Sequence, residues 1–153
     1  MKKFKWVFVI CFLLATPILL YAQVAAEIEK LLETEAVSYE QAAWLVLEAA
    51  DLSGSFEGSA PDGAFNYAAG QGWLPQKAAP GDKASLEGVS LLVMRSFGIK
   101  GGLFYSLIKN PHYAYREMVY QDLIQGRSDP QMPVSGDLLL FLVNRVLSRA
   151  EEQ

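Results

Sequence analysis

Three segments of the chain share one pattern, in which a serine is followed by an apolar segment of helical length. The serines are Ser38, Ser85 and Ser135, and a leucine and a valine stand seven and eight residues after each of them. These pairs are Leu45 and Val46, Leu92 and Val93, and Leu142 and Val143. Prolines precede the second and third serines by five residues. Such repetition predicts small stacked units, which are more typical of binding proteins than of enzymes.

Each serine is placed to cap the start of a helix. Its hydroxyl can accept a hydrogen bond from an otherwise unpaired amide, and Gln41 completes a capping box after Ser38. The pattern predicts long helices over 39–52 and 86–97, with further helices at 64–69, 103–109 and 112–124. Amphipathic helices often begin with serine and share leucines, so the chance origin of the repeat stays an open alternative.

The first 22 residues have the pattern of an export signal. Lys2, Lys3 and Lys5 precede an apolar stretch, and Ala22 provides a small residue at the expected cleavage site. An uncleaved anchor is the alternative, because the stretch approaches the ~20 residues that span a bilayer. Cys11, the only cysteine, lies inside this stretch. The predicted mature chain therefore has no disulfide and depends on an ordinary hydrophobic core.

Without the signal the chain keeps ten basic and seventeen acidic residues, a net charge of −7. This balance argues against nucleic acid, or an anionic membrane surface, as the partner. No later apolar run is long enough to span a membrane. We therefore expect an all-α, single-domain protein in the periplasm or at the cell surface, with a leading amphipathic helix at residues 23–36.

The starts Val37-Ser38, Ala84-Ser85 and Val134-Ser135, with the turn Gly72-Trp73-Leu74-Pro75, resemble the S-layer homology (SLH) module. The resemblance covers residues 36–149, and it implies an SLH-like repeat domain at 37–150. SLH domains pack three helix-loop-helix units into a pseudo-threefold bundle and bind cell-wall polysaccharide in grooves between units. The family places arginine directly after the hydroxyl, as part of the glycan site. Here those positions hold Tyr39, Leu86 and Gly136, so the resemblance implies a divergent member.

Aromatic residues between 104 and 120 form the richest candidate surface. Their faces can stack on sugars or peptides, while tyrosine hydroxyls and an arginine provide directional hydrogen bonds. The predicted ligand-binding residues are Trp73, Tyr105, Tyr113, Arg116 and Tyr120, with Phe104, His112, Tyr115 and Glu117 as neighbours. The alternative is that these side chains pack in or beside the core.

Catalysis finds little support in the sequence. His112 is the only histidine, which excludes a histidine metal cluster, and no cofactor is predicted. Carboxylate pairs such as Glu117 and Asp122, or Asp51 and Glu57, could serve a glycosidase, but their spacing does not distinguish them from other acids. We predict a non-catalytic module that binds cell-wall or envelope glycan. The alternative is a periplasmic interaction or assembly factor whose exposed helix faces bind another polypeptide, such as a periplasmic or outer-membrane protein. The leading helix could serve it as a detachable amphipathic segment.

Overall fold

The described part of the chain folds into helices joined by irregular connections, the longest of which are residues 71–85 and 121–135. The computed structural model describes residues 25–26, 28–56, 61–126 and 128–151, so the predicted signal peptide lies outside the described residues. The helices are α1 (Tyr39–Ala49), α2 (Pro61–Gly70), α3 (Leu86–Ser96), α4 (Leu103–Leu107), α5 (Pro111–Tyr120) and α6 (Gly136–Glu151). Residues 28–32 are also helical, and no β-strand occurs in these ranges. The predicted all-α class is confirmed. Every helix in the described ranges is too short or too polar to cross a bilayer.

The three serines cap α1, α3 and α6 in the same way. Each hydroxyl oxygen accepts a hydrogen bond from the amide three residues later, at 3.2 Å in all three cases. At α1 the Gln41 side chain returns a bond to the Ser38 amide at 2.9 Å, which completes the predicted capping box. Local sequence therefore determines where these three helices begin.

The residues before the serines form a closed ring of backbone hydrogen bonds. Val37 donates to the carbonyl of Val134 (2.8 Å), Val134 donates to Ala84 (2.9 Å), and Ala84 donates to Val37 (2.8 Å). All three residues are fully buried. The ring gives each buried donor and acceptor a partner, as a buried backbone requires, and it holds three distant segments at one point.

At the helix starts, further backbone amides donate hydrogen bonds to carbonyls of other segments. Tyr39 donates to the carbonyl of Asp82, Leu86 to Met132 and Gly136 to Thr34, at 2.9–3.0 Å. The next amides of α1 and α3, those of Glu40 and Glu87, donate to the carbonyls of Pro80 and Pro130 at 3.1 and 2.9 Å. The first amides of a helix have no partner within it, so another segment must supply one. The two prolines that precede the serines by five residues have this role.

The core lies between α1, α3 and the helices packed on them. α1 packs mainly against α2 and α3 against α5, while α1 also contacts α3 and α6. All six leucines and valines of the repeated pattern are buried. The buried Ser90 hydroxyl donates to the carbonyl of Leu86 at 2.7 Å, which satisfies it inside α3.

Four helices end in the same tight turn. α1, α2, α3 and α5 are each followed by a residue with positive φ, and the next amide donates to the carbonyl five residues back, as in a Schellman motif. The positive-φ residues are Asp51, Gly72, Gly98 and Asp122, and the donors are Leu52, Trp73, Ile99 and Leu123. Glycine is the residue that usually occupies this positive-φ position, so a helix end at Asp51 or Asp122 is harder to recognise from sequence. For this reason α1 and α5 end before the predicted residues 52 and 124.

The segment before α1 is packed against the start of α6. Leu31 is buried, and a Cβ atom added to Gly136 would collide with the Leu31 carbonyl oxygen. Backbone meets backbone here, so a side chain at position 136 could not be accommodated by a rotamer change.

We therefore expect Gly136→Ala to lower the free energy of unfolding by about 1–3 kcal/mol, the usual cost of overpacking. Urea denaturation followed by circular dichroism measures this. Gly81→Ala is the matched control, because an added Cβ there meets no atom within 4 Å. Equal stabilities of the two variants would contradict the close contact with Leu31.

Candidate functional site

α4 and α5 form a hairpin that carries most of the predicted site residues. Asn110 caps α5 by accepting a hydrogen bond from the Tyr113 amide at 2.9 Å, and Pro111 occupies the first turn, where its missing N–H is not needed. At the other end Glu117 accepts a bond from the Gly102 amide at 2.9 Å. The second contact ties the start of α4 to α5.

The outer face of this hairpin is aromatic. The rings of Phe104 and Tyr113 stack with their centroids 6.0 Å apart and only 11° between their planes. His112 meets Tyr113 edge-on at 5.5 Å. Arg116 is exposed, and Tyr120 is 84% exposed. A flat aromatic platform, an exposed guanidinium and an exposed phenol therefore belong to one short stretch of α5 and its neighbour.

Tyr105 lies on the opposite side of α4. Its side chain is 5% exposed and packs against Gly101 and Glu117. Burial raises the pKa of its phenol, an effect that the nearby Arg95 partly offsets. Tyr105 lines part of a cleft that also contains Arg95 and Lys100, but most of its surface packs inside the protein.

Trp73 belongs to a different part of the molecule from Tyr113. It follows the positive-φ Gly72 at the end of α2 and is half-buried. Its ring contacts Tyr67 edge-on at 5.6 Å, and Tyr67 in turn contacts Phe56 at 6.1 Å. An apolar residue at this position of a Schellman turn normally packs back onto its helix. The geometry gives Trp73 a capping role, and its predicted ligand contact stays a prediction.

Two neighbours of the aromatic face have structural roles. Tyr115 donates from its hydroxyl to the carbonyl of Ser128 at 2.5 Å. Both carboxylate oxygens of Glu117 are engaged, one by Gly102 and the other by the Gln121 amide at 2.8 Å. Gln121 also donates to the carbonyl of Lys100 at 2.8 Å. The bonds of Glu117 and Gln121 hold the connection between α3 and α4 in place, and the bond of Tyr115 ties α5 to the segment before α6.

The positions directly after the three serines are all buried. The Tyr39 hydroxyl lies 3.1 Å from the Ser85 hydroxyl and accepts a bond from the Ser85 amide at 3.3 Å. Leu86 lies in the core, and Gly136 faces Leu31. Arginines at these positions would place a charge inside the protein, which is costly unless it is paired. The residues Tyr39, Leu86 and Gly136 thus agree with their surroundings.

Three basic residues that are not among the predicted ligand-binding residues lie beside α4. Arg95, Lys100 and Lys109 line a cleft of about 390 Å³, together with Tyr105 and Ser106. A signal for this cluster was available, because residues 88–116 contain four basic residues and no acidic one. The rest of the chain beyond residue 22 contains six basic and seventeen acidic residues. The overall negative charge therefore conceals a local positive region.

One close carboxylate pair joins the starts of α1 and α2. A hydrogen bond between the Glu40 and Asp62 side chains raises the pKa of Glu40, and partial burial and the charge of Asp62 raise it further. It is not one of the pairs considered from the sequence. No group of three or more potential metal-ligating side chains occurs among the described residues.

Comparisons of the chain with protein-family models, with curated proteins and with solved structures found no match.

The Glu40–Asp62 contact should make stability depend on pH. Because the pKa of Glu40 is raised in the folded state, the shared proton stabilises the fold in acid, and this stabilisation is lost as the pH rises through that raised pKa. At neutral pH we expect Glu40→Gln to raise Tm by roughly 1–3 °C, since it removes repulsion at a solvent-screened site. Thermal melts across pH 3–8 test this, with Glu48→Gln as the control. An equal gain for Glu40→Gln at pH 3 and pH 7 would contradict the assignment.

Proposed function

We propose that this protein is an exported, non-catalytic binding module of the cell envelope, and that its ligand is cell-wall or envelope glycan. The observation that carries the proposal is the open face of the α4–α5 hairpin. There the stacked rings of Phe104 and Tyr113 lie beside the exposed Arg116 and Tyr120.

This face has the chemistry that sugar recognition requires. Sugar rings have apolar C–H faces that pack on aromatic rings, and their hydroxyls need directional donors and acceptors. Tyr113 provides the ring, Arg116 a planar donor with five N–H groups, and Tyr120 a hydroxyl that both donates and accepts. The capped start of α5 holds Tyr113 in place, which lowers the entropy cost of binding.

The proposed architecture is an SLH-like bundle of three imperfect units. In support, α1, α3 and α6 have equivalent serine caps, and the residues before them form the ring of Val37, Ala84 and Val134. In this proposal the glycan site differs from that of the family, since the buried positions after the serines cannot present arginine. The contact surface moves to the α4–α5 hairpin.

In the alternative function, binding of another polypeptide through exposed helix faces, the leading helix is the segment that could detach. Leu31 is buried, and Thr34 accepts a hydrogen bond from the amide of Gly136 at 2.9 Å. Release of this segment would expose Leu31 and leave the first amide of α6 unpaired. These contacts weigh against a leading helix that detaches to bind a partner.

The proposal predicts that the exported, purified protein co-sediments with isolated cell wall. Replacing both Tyr113 and Arg116 by alanine removes the aromatic platform and the cation, and we expect at least a roughly tenfold weaker association. Pelleting over a range of protein concentrations measures the change, and circular dichroism verifies that the variant is folded.

A second aromatic–arginine pair offers a matched control. On α6, the guanidinium carbon of Arg145 lies 5.8 Å from the centroid of the Phe141 ring, and Phe141 is exposed. Replacing Phe141 and Arg145 by alanine should leave pelleting unchanged. If the native protein pellets no more than an unrelated protein, or if both double variants lose the same fraction, glycan binding through α5 is wrong.

A further inference from the structure

The short helix α4 presents an apolar face to solvent. Leu103 is 71% exposed, Phe104 67% and Leu107 73%, and Ile108 follows directly after them. Helical spacing places Leu103, Phe104 and Leu107 on one side of α4, away from the buried Tyr105. Ile108, which directly follows the end of the helix, is also exposed. Single exposed apolar residues are ordinary, but a contiguous set on one element marks an interaction surface.

The charged residues of the segment around this face, residues 100–116, are all basic. Lys100 precedes α4, Lys109 follows Ile108, and Arg116 lies one turn after Tyr113, which stacks on Phe104. Lys100 and Lys109 are both exposed, and both line the cleft beside α4. Glu117, the acid beside Tyr105, is already hydrogen-bonded on both oxygens. The apolar face therefore has a cationic border on a protein that is otherwise strongly acidic.

From this combination we propose that α4 is a membrane-docking tip that inserts into the surface of an anionic phospholipid bilayer. Apolar side chains enter the boundary between headgroups and acyl chains, and lysines and arginines beside them bind anionic headgroups. The acidic remainder of the molecule would be repelled by the same surface, which orients the protein with α4 towards the membrane.

A bilayer fits this surface better than a polypeptide does. Exposed fractions near 70% mean that the side chains of Leu103, Phe104 and Leu107 project from the protein. Peptide segments usually bind by entering a concave groove, whereas a deformable lipid surface can receive a projecting tip. The inference does not depend on glycan binding, because lipid contact requires neither Tyr120 nor the guanidinium geometry of Arg116.

Vesicle co-sedimentation tests the proposal with the exported, purified protein. We expect binding to vesicles of phosphatidylglycerol and phosphatidylcholine in equal amounts, weaker binding to phosphatidylcholine alone, and a decrease with added salt. Leu103→Ser with Leu107→Ser should lower the partition coefficient at least roughly tenfold. Lys100→Gln with Lys109→Gln should lower it by about fivefold per residue, and only on the anionic vesicles.

Phe141→Ser with Leu147→Ser is the matched control, since both are exposed apolar residues of α6. It should leave vesicle binding unchanged. The proposal is overturned if the protein does not bind anionic vesicles, or if the α4 and α6 variants bind equally. It is also overturned if a photo-crosslinker at position 103 captures a stoichiometric protein partner in cells instead of lipid. Because the wall-pelleting experiment uses glycan without lipid, failure of one proposal is distinguishable from failure of the other.

Discussion

The structure depends on the ring of backbone hydrogen bonds between Val37, Ala84 and Val134. These residues are completely buried, and a buried amide or carbonyl without a partner costs about 1–3 kcal/mol. Since each residue both donates and accepts, loss of one segment would leave unpaired groups on the other two. The starts of α1, α3 and α6 are thereby tied together, and their leucines and valines converge on one core.

The same close packing explains where a ligand can bind. The Tyr39 hydroxyl, next to the ring, bonds to Ser85, while Gly136 leaves room for the backbone at Leu31. These contacts use the helix starts for stability, and the three positions directly after the serines hold no charged side chain. α5 packs against α3 and buries Ala114 and Met118, while Arg116 and Tyr120 stay exposed and remain open for recognition.

Charge and apolar surface coincide at that hairpin. The sequence beyond residue 22 is acidic as a whole, which argued against an anionic partner, but the segment from 88 to 116 has no acidic residue. Arg95, Lys100 and Lys109 line one cleft beside the exposed leucines of α4. Interactions between charges at a surface are screened beyond about 8–10 Å, so this local distribution matters more to a docked ligand than net charge does.

Sequence alone determined the features that depend on neighbours along the chain: the all-α class, the three serine caps and the apolar register of the core. Tertiary structure decided what depends on distant segments. The ring needs three chain segments to meet, Tyr105 turns inward because Gly101 and Glu117 pack against it, and Trp73 packs at the end of α2. Of the five predicted site residues, Tyr113, Arg116 and Tyr120 lie along α5, whereas Tyr105 is buried and Trp73 packs on α2. Sequence could not separate these two groups, because burial and long-range contacts are not encoded in local periodicity.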